Sequence, residues 1–381
     1  METQQLRIGI DARPLYWTGI GRYIEETLLH LSRIDLQNEY FIYYHESLPK
    51  SRVGRAYWHP ELRGKIETRN FRFVVCHVPV CSVREQIALP TMLRRDGIAL
   101  FHSPYINVPL LAKCHRIVTI HDIHLRNYMR STKRAYYEFM TRRALVSAQR
   151  IIVVSQSLRD EVRRFMPACA EKIAVIHHGV SAAFHPVTNA LELADMKRAH
   201  HIRGEYFLFV GTFLAHKNLP VLIRAFHRVR KSLSEPCQLV IAAKVDERFS
   251  EPLRLVRGLG LSDDVLFVGH VAKETLPALY SGAKALVVPS LYESFGLPVI
   301  EAMSCGTPVI ASSLWALPEV AGEAALLIDP HSELQLIEAM LRIYRDPILR
   351  ACLREQGLRR AKEFSWLHAA KQLRQVYEAC A

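Results

Sequence analysis

The chain has 381 residues, half of them hydrophobic, so it is long enough for two cores and too apolar for an intrinsically disordered protein. It contains no run of 18 apolar residues and begins Met-Glu-Thr-Gln-Gln, unlike a secretory leader, so we expect a cytoplasmic protein without a membrane-spanning segment. The net charge of +13 is concentrated in residues 1–185, with 27 lysines and arginines against 16 acidic residues, and such a surface attracts phosphate-bearing partners.

The first half of the chain alternates short apolar runs with amphipathic stretches. This alternation predicts a parallel sheet with helices on both faces. The predicted strands are residues 6–10, 40–44, 71–75, 99–102, 117–120, 151–154 and 173–176. The predicted helices are residues 22–32, 133–149 and 156–165.

Two polar motifs follow predicted strands in this half. Gly19 and Gly21 come after the first strand and lie where a glycine turn opens a helix, a place where backbone can approach an anion. The third glycine of a dinucleotide-binding motif is missing, which disfavours NAD or FAD. His121 and Asp122 end a later strand, so His121 is expected at the carboxyl edge of the sheet. His124 would allow a metal site with His121, but no third ligand at suitable spacing supports one.

The predicted helix 133–149 has two possible environments. Tyr136, Tyr137, Met140, Ala144 and Leu145 share a face that is edged by arginines. Such a stripe fits a helix lying on an anionic membrane, and it fits equally a helix packed on the sheet. The surrounding basic stretch, from 126 to 164, is the densest of the chain; its arginines and lysine are Arg126, Arg130, Lys133, Arg134, Arg142, Arg143, Arg150, Arg159, Arg163 and Arg164.

From residue 178 to 205 the pattern loosens into a linker-like stretch, and then a second alternation begins. We therefore expect an N-terminal domain over residues 1–185 and a C-terminal domain over residues 186–363. The predicted strands of the second are 206–210, 239–243, 265–268, 285–288 and 309–311, and the predicted helices are 218–231, 251–259 and 273–281.

Residues 285–311 carry the most informative pattern of the chain. A buried strand is followed by a loop with Glu293 and Gly296, a helix opened by Pro298 and ended near Gly306, and another strand. Glu301 lies eight positions after Glu293, in that helix. The loop is expected to point backbone N–H groups at the carboxyl edge of a sheet, where open α/β folds bind ligands.

This segment closely resembles the signature of family 4 retaining glycosyltransferases, which have the GT-B fold. The resemblance implies an α/β protein with two Rossmann-like domains whose parallel sheets face each other across a cleft. It also implies that residues 364–381, which begin Phe-Ser-Trp, form a closing helix that returns to the N-terminal domain.

The resemblance implies a role for each matching residue. Glu293 and His121 lie beside the donor sugar, Asp122 orients His121 from behind it, and Glu301 binds the nucleotide ribose. Lys217 offsets charge on the leaving diphosphate. The remaining implied donor-binding residues are Gly19, Gly21, Gly211, Thr212, His216, Val271, Ser294, Phe295, Gly296 and Leu297. Where the family often has Arg-Lys, this chain has His216-Lys217, so the second cation is a titratable one.

The sequence thus predicts a retaining glycosyltransferase that moves a hexose from a nucleotide diphosphate sugar. The opening of the chain and the His121 region most resemble bacterial mannosyl- and rhamnosyltransferases of O-antigen or exopolysaccharide assembly. This favours GDP-mannose or a GDP-deoxymannose as donor, a polyprenyl-diphosphate-linked saccharide as acceptor, and peripheral association with the inner face of the cytoplasmic membrane. The sequence contains no Asp-x-Asp, as in GT-B enzymes that use cationic side chains instead of a metal, so no cofactor is expected.

Two alternatives remain at this stage. A sugar-nucleotide 2-epimerase or a phosphorylase shares the two-domain shape, but the epimerase lacks this glutamate pair and the phosphorylase requires a cofactor lysine motif that is not found here. A nucleic-acid binder would explain the charge but neither the paired glutamates nor His121, so no nucleic-acid partner is expected.

Overall fold

The computed structural model describes residues 5–45, 60–66, 69–124 and 131–380. Two compact units divide the chain. The first comprises the residues up to Gly179 together with those from Trp366 onward, and the second comprises Val180–Ser365. Arg126 and Arg130 of the basic stretch lie outside the described residues.

The first unit is built on a seven-stranded parallel sheet in the order β3-β2-β1-β4-β5-β6-β7. The inner strand β1 places Ile8 beside Tyr40 on one side and Leu100 on the other. The strands are almost continuous apolar runs because helices cover both faces of a parallel sheet. They are β1 Arg7–Asp11, β2 Glu39–Tyr44, β3 Phe71–Val75, β4 Leu100–Ser103, β5 His115–Ile120, β6 Arg150–Val153 and β7 Ile173–Val175.

Helices of the first unit come from both ends of the chain. They are α1 Thr18–Ile34, α2 Pro60–Lys65, α3 Glu85–Arg95, α4 Ser131–Ser147, α5 Gln156–Phe165 and the last helix, α14 Trp366–Glu378. The start of α5 is fixed by Ser155, whose hydroxyl accepts a hydrogen bond from Leu158 N at 3.1 Å. The last helix is tied to α1 by Arg374, which donates to the carbonyl of Ile34 at 3.0 Å.

The second unit repeats this design with a six-stranded parallel sheet in the order β10-β9-β8-β11-β12-β13. Its strands are β8 Glu205–Val210, β9 Cys237–Ala242, β10 Val265–Phe267, β11 Ala285–Val288, β12 Val309–Ser312 and β13 Leu326–Ile328. Its helices are α6 Ala190–Ala199, α7 Leu219–Lys231, α8 Glu251–Gly258, α9 Leu276–Ser281, α10 Leu297–Ser304, α11 Leu317–Ala321, α12 Glu333–Arg345 and α13 Pro347–Ala361. Phe207, Phe226 and Ile241 are among its fully buried core residues.

The elements that the sequence pattern predicted lie within about four residues of their observed bounds, and β3, α5 and β11 were predicted at those bounds. The pattern did not predict β13, α2, α11, α12 or α13. It was wrong about the linker-like stretch, because α6 lies within residues 178–205. Asn189 caps this helix by accepting from Leu191 N at 2.9 Å, a signal that the loose apolar pattern concealed. The pattern also passed over α3, which contains Pro90.

Helix α4 has one apolar face for which the sequence allowed either a membrane or the sheet, and most of that face is packed inside the first unit. Tyr137, Met140, Ala144 and Leu145 are buried, so that stripe is core and only Tyr136 of the five is exposed. The large apolar side chains that α4 does expose are Tyr136, Phe139 and Val146. Within the part of the chain that the structure describes, no helix combines the length and apolar character needed to cross a membrane.

Candidate active site

The carboxyl edge of the second sheet is shaped by the turn after β8. Gly211 and Thr212 follow the strand, and a short 3-10 turn, Ala215–Lys217, leads to Asn218. Asn218 has a left-handed backbone with φ of 59°. Its side chain donates to the carbonyls of Pro289 at 3.1 Å and Pro330 at 2.8 Å, which offsets the cost of that conformation. The turn therefore has one arrangement, and it presents Lys217 at the edge of the sheet.

Lys217 is paired there with Glu293, a contact that the sequence did not predict. Lys217 Nζ donates to Glu293 Oε1 at 2.6 Å, and the hydroxyl of Ser290 donates to the same oxygen at 3.0 Å. The two charged side chains are 15% and 13% exposed, so the pair is partly desolvated but still reachable. The predicted cation and the predicted sugar-binding carboxylate thus lie side by side.

The next part of the site is the start of α10. Gly296 precedes the helix with φ of 102°, and a Cβ there would lie 2.7 Å from Cδ2 of Leu317, so glycine is required on both counts. No side chain caps this helix start, Pro298 has no N–H, and Val299 N donates to the carbonyl of Gly296 at 2.9 Å, so what the start offers the preceding loop is its positive dipole end. Such a helix start suits an anion.

Glu301 lies one turn into α10 and is buried, 3% exposed. It accepts a hydrogen bond from the hydroxyl of Tyr280 at 3.0 Å. Helix α10 ends where the sequence predicted, since Gly306 adopts φ of 72° just beyond it. Glu301 is therefore a held carboxylate rather than a solvated surface acid.

The other residues assigned to donor binding in this unit range from buried to half-buried. His216 is 6% exposed, and its backbone carbonyl accepts from Leu291 N at 2.8 Å. Val271, beyond β10, is also 6% exposed. Thr212 and Leu297 are half-buried. The burial of His216 distinguishes it from Lys217, which reaches the surface of the site.

The first unit presents a different kind of cluster around His121, at the carboxyl end of β5. Its ring stacks on that of His178 with centroids 5.4 Å apart and meets the ring of Tyr23 edge-on at 4.8 Å. Burial lowers the pKa of His121 to about 3, although a hydrogen bond with the backbone of Pro104 opposes the shift. His121 is therefore neutral at physiological pH. Its Nε2 is buried without a hydrogen-bond partner among the described residues, as expected of an atom that waits for a ligand hydroxyl.

Hydrogen bonds behind this cluster tie it to the last helix. The hydroxyl of Tyr23 and Oγ1 of Thr119 share a hydrogen bond of 3.0 Å. The ring of His102 makes two hydrogen bonds, through Nε2 with Thr119 Oγ1 at 2.8 Å and through Nδ1 with the hydroxyl of Tyr377 at 2.6 Å. Burial lowers the pKa of His102 to about 3 as well. The sequence pattern missed these residues. For His178 the signal was available, because it follows β7 just as His121 follows β5.

The other predicted residues of the first unit are Gly19, Gly21 and Asp122. Gly19 and Gly21 lie inside the first turn of α1, and a Cβ on Gly21 would lie 2.0 Å from the carbonyl oxygen of Leu15. Asp122 accepts at its backbone carbonyl from the hydroxyl of Tyr137 at 2.6 Å, which fixes α4.

The metal alternative receives no ligand set from the structure. His124 Nδ1 lies 3.5 Å from an oxygen of Glu161. Over the described ranges no three His, Cys, Asp or Glu side chains come together as metal ligands.

A buried ionic cluster lies at the carboxyl end of β1. Arg13 donates to both carboxylate oxygens of Asp11, at 2.8 Å and 2.6 Å, and it also pairs with Glu85. Asn107 donates to Glu85 too, and Cys81 N does so at 3.0 Å. Burial opposes the charge on Arg13, but attraction to Asp11 and Glu85 raises its pKa, while burial raises that of Glu85.

Comparison with known proteins places both units. The family described as "Glycosyltransferase Family 4" matches residues 17–184, and "Glycosyl transferases group 1" matches residues 195–360. O-antigen chain mannosyltransferase B of Escherichia coli is 31% identical over 300 residues, 73% of this chain and 74% of that protein. O-antigen chain mannosyltransferase RfbU of Salmonella typhimurium is 30% identical over 262 residues, 68% of this chain and 69% of that protein.

Among solved structures, Anabaena Alr3699/HepE in complex with UDP and glucose superposes with a TM-score of 0.77, at 16% identity, over 98% of this chain and 100% of that one. A likeness at this level of identity concerns the fold, and it confirms the predicted GT-B architecture of two Rossmann-like units built on parallel sheets.

Proposed function

This chain belongs to glycosyltransferase family 4, and from that premise we propose that it is a retaining hexosyltransferase acting on a nucleotide diphosphate sugar. The favoured sugar is mannose or a deoxymannose such as rhamnose, carried by GDP. The proposed acceptor is a polyprenyl-diphosphate-linked saccharide of O-antigen or exopolysaccharide assembly. The O-antigen mannosyltransferases at about 30% identity support the sugar and the pathway.

The observation that carries the chemistry is the Lys217–Glu293 pair at 2.6 Å. Glycosyl transfer builds positive charge at the anomeric carbon and negative charge on the leaving diphosphate. A partly desolvated cation and anion side by side match those two charges, with Lys217 assigned to the diphosphate and Glu293 to the sugar. The positive dipole end at the uncapped start of α10 adds attraction for phosphate oxygens.

His121 and Glu301 complete the proposal, because each is assigned to hydroxyl groups of the donor. Because the pKa of His121 is lowered to about 3, its part is to hold a sugar hydroxyl by hydrogen bonding rather than to supply charge. Glu301, oriented by Tyr280, is assigned to the ribose hydroxyls. Asp122 keeps a supporting role beside His121.

Release of the free nucleotide tests the reaction and its donor together. The purified chain is incubated with GDP-mannose, GDP-rhamnose or UDP-glucose, with and without a bacterial lipid extract as acceptor, and GDP or UDP is measured by mass spectrometry. We expect GDP from the GDP-linked sugars, lost in Lys217→Ala and kept in the control Lys231→Ala at the far end of α7. Release of UDP alone would overturn the donor assignment. An isomerised sugar without transfer would point to an epimerase.

The anomeric configuration of the product tests the stereochemistry separately. We expect an α-linked product from the α-linked donor, visible as its anomeric proton coupling and carbon–proton coupling in NMR spectra. A β-linked product would contradict retention without affecting the assignment to this family.

Peripheral membrane association is proposed on the face of α4 that the structure leaves exposed. Tyr136, Phe139 and Val146 are 45%, 57% and 52% exposed, and Arg142 and Arg143 are exposed beside them. Apolar side chains with an arginine border suit an anionic lipid surface, and a lipid-linked acceptor would lie in that surface.

Vesicle sedimentation tests this surface. We expect binding to vesicles containing phosphatidylglycerol at low salt, release as ionic strength rises, and weaker binding of Phe139→Ser. The control Ile348→Ser removes an apolar side chain that is 81% exposed in the second unit and should bind like the original chain. Equal binding to neutral and anionic vesicles, or none at low salt, would indicate a water-soluble acceptor.

A further inference from the structure

Trp315 has an unusual backbone for a bulky residue. Its φ is 58°, in the left-handed region that non-glycine residues seldom adopt, and it is one of four such residues in the described parts of the chain, with Cys81, His201 and Asn218. Strain of this kind persists only where surrounding contacts hold it, and it concentrates at functional sites. Trp315 lies between β12 and α11, in a turn to which the sequence pattern assigned no role.

Contacts from this turn run along the loop that carries Glu293. Trp315 Nε1 donates to the carbonyl of Leu291 at 2.9 Å, and its ring meets that of Tyr292 edge-on with centroids 5.0 Å apart. The next residue, Ala316, donates its N–H to the carbonyl of Glu293 at 3.3 Å. Three consecutive loop residues are thus held by two consecutive turn residues.

The left-handed backbone is what allows these contacts together. It reverses the chain after β12, so that the indole of Trp315 and the N–H of Ala316 point at the same loop. Asn218, a second left-handed residue, holds the start of that loop through the carbonyl of Pro289 at 3.1 Å. Two of the four residues with a left-handed backbone therefore contact the same loop, Asn218 at its start and Trp315 further along it.

We propose that Trp315 is a positioning residue that sets the distance between Glu293 and Lys217. The proposal rests on the function proposed above, in which that pair meets the charges of the reaction. Glu293 has its backbone held by the turn and its carboxylate held by Lys217 and Ser290. If the indole is lost, the carboxylate keeps its chemistry but loses its fixed place.

Two variants separate the indole from the strain. Trp315→Phe keeps a ring and the strained backbone but removes the N–H, whereas Trp315→Gly relieves the strain and removes the ring. We expect kcat to fall about ten- to a hundredfold in both, with the KM for donor within about twofold, because misplacement of a reacting group acts on the chemical step. The matched control is His201→Gly, which relieves the same strain away from the site and should leave kcat unchanged.

A double-mutant cycle shows whether Trp315 acts through Glu293. In a Glu293→Gln background, Trp315→Phe should cause no further loss of kcat, since the group that it positions is already absent. Losses that multiply would overturn the proposal, as would an unchanged kcat in Trp315→Phe.

Hydrogen exchange provides a measurement that does not depend on activity. The amides of residues 290–294 should exchange faster in Trp315→Phe than in the original chain, while the strands of the second unit keep their protection. Unchanged exchange in this loop overturns the positioning role. If the original chain releases no nucleotide from any sugar donor, the proposed function fails, and the exchange result still decides whether Trp315 holds the loop.

Discussion

Each of the two units places a cation at the same point of its topology. In the first unit the inner strand β1, third in its sheet, is followed by a 3-10 turn, Arg13–Tyr16. In the second unit the inner strand β8, also third in its sheet, is followed by the turn Ala215–Lys217. Arg13 and Lys217 both lie at the carboxyl edge of their sheet, where α/β folds bind ligands. Their surroundings differ completely.

Arg13 is buried and its charge is paired, whereas Lys217 is partly exposed to solvent. The Arg13 side chain has no exposure and is shared by Asp11 and Glu85, which are 2% and 0% exposed. Among the residues that the structure describes, Lys217 has one carboxylate partner, Glu293, and it keeps 15% exposure. A cation surrounded by buried carboxylates has no capacity left for a substrate, so we expect the position to serve stability in the first unit and, under the proposed function, chemistry in the second.

Removing one member of the buried cluster should produce the largest effect. Glu85→Ala leaves Arg13 with Asp11 as its remaining carboxylate partner and removes the buried acceptor of Asn107, and breaking a buried pair in this way costs about 3–5 kcal/mol of unfolding free energy. Urea unfolding measures this loss, with Glu171→Ala, an exposed acid of the same unit, as control. A change below about 1 kcal/mol would mean that water reaches the cluster and that the contrast with Lys217 is weaker than the burial indicates.

The open pair should show the opposite balance. Lys217→Ala removes the charge that the proposed function assigns to the leaving diphosphate. We expect kcat to fall about 10²–10³-fold, or about 2.7–4 kcal/mol of barrier, with little change in unfolding free energy. Lys217→Arg should recover part of the rate. A variant that unfolds but keeps its kcat per folded molecule would place Lys217 among the structural cations.

The contrast also shows where sequence reasoning reaches its limit. The parallel sheets were predictable because apolar runs and amphipathic stretches alternate. The roles of Glu293, Glu301 and Lys217 stay predictions from the family resemblance, but their positions, in a loop after a strand, in the next helix and before a helix, were predictable from the same pattern. The pairing of Lys217 with Glu293 was not, since 76 positions separate them and no local pattern specifies that contact. The same holds for Arg13 and Glu85, which are 72 positions apart.

Local signals were also overridden by tertiary packing. The face of α4 could be read as core or as membrane surface, and only burial of Met140 and Leu145 decided it. Trp315 gave no signal at all, because a left-handed backbone at a tryptophan contradicts every local preference and depends on contacts with Leu291 and Glu293.

Mild acid should distinguish the units by stability. His102 and His121 have pKa values lowered to about 3 in the first unit, against about 6.5 in an unfolded chain. The unfolded state therefore binds more protons below pH 6.5, and folding stability is lost as pH falls through that value. At pH 5 the loss is about 2 kcal/mol for each histidine. Glu85, whose pKa is raised by burial, works in the opposite direction.

Urea unfolding at pH 7.5 and pH 5 measures that loss. His178→Asn, which removes a third buried histidine whose pKa is lowered, should reduce the difference between the two pH values. Equal stability at both would mean that the ring cluster opens to water and accepts protons while folded.

The smallest expected effect concerns the buried carboxylate of the second unit. Glu301→Gln keeps the shape of the side chain and the hydrogen bond from Tyr280 but removes the charge that strengthens bonds to ribose hydroxyls. We expect GDP binding to weaken about tenfold, or about 1.4 kcal/mol, with kcat at saturating donor nearly unchanged. Calorimetric titration with GDP measures this, and Tyr280→Phe, which alters only the orientation of Glu301, should weaken binding less. Unchanged affinity in Glu301→Gln would make Glu301 a structural acid like Glu85, and the second unit would then keep its open charge at Lys217 and Glu293 alone.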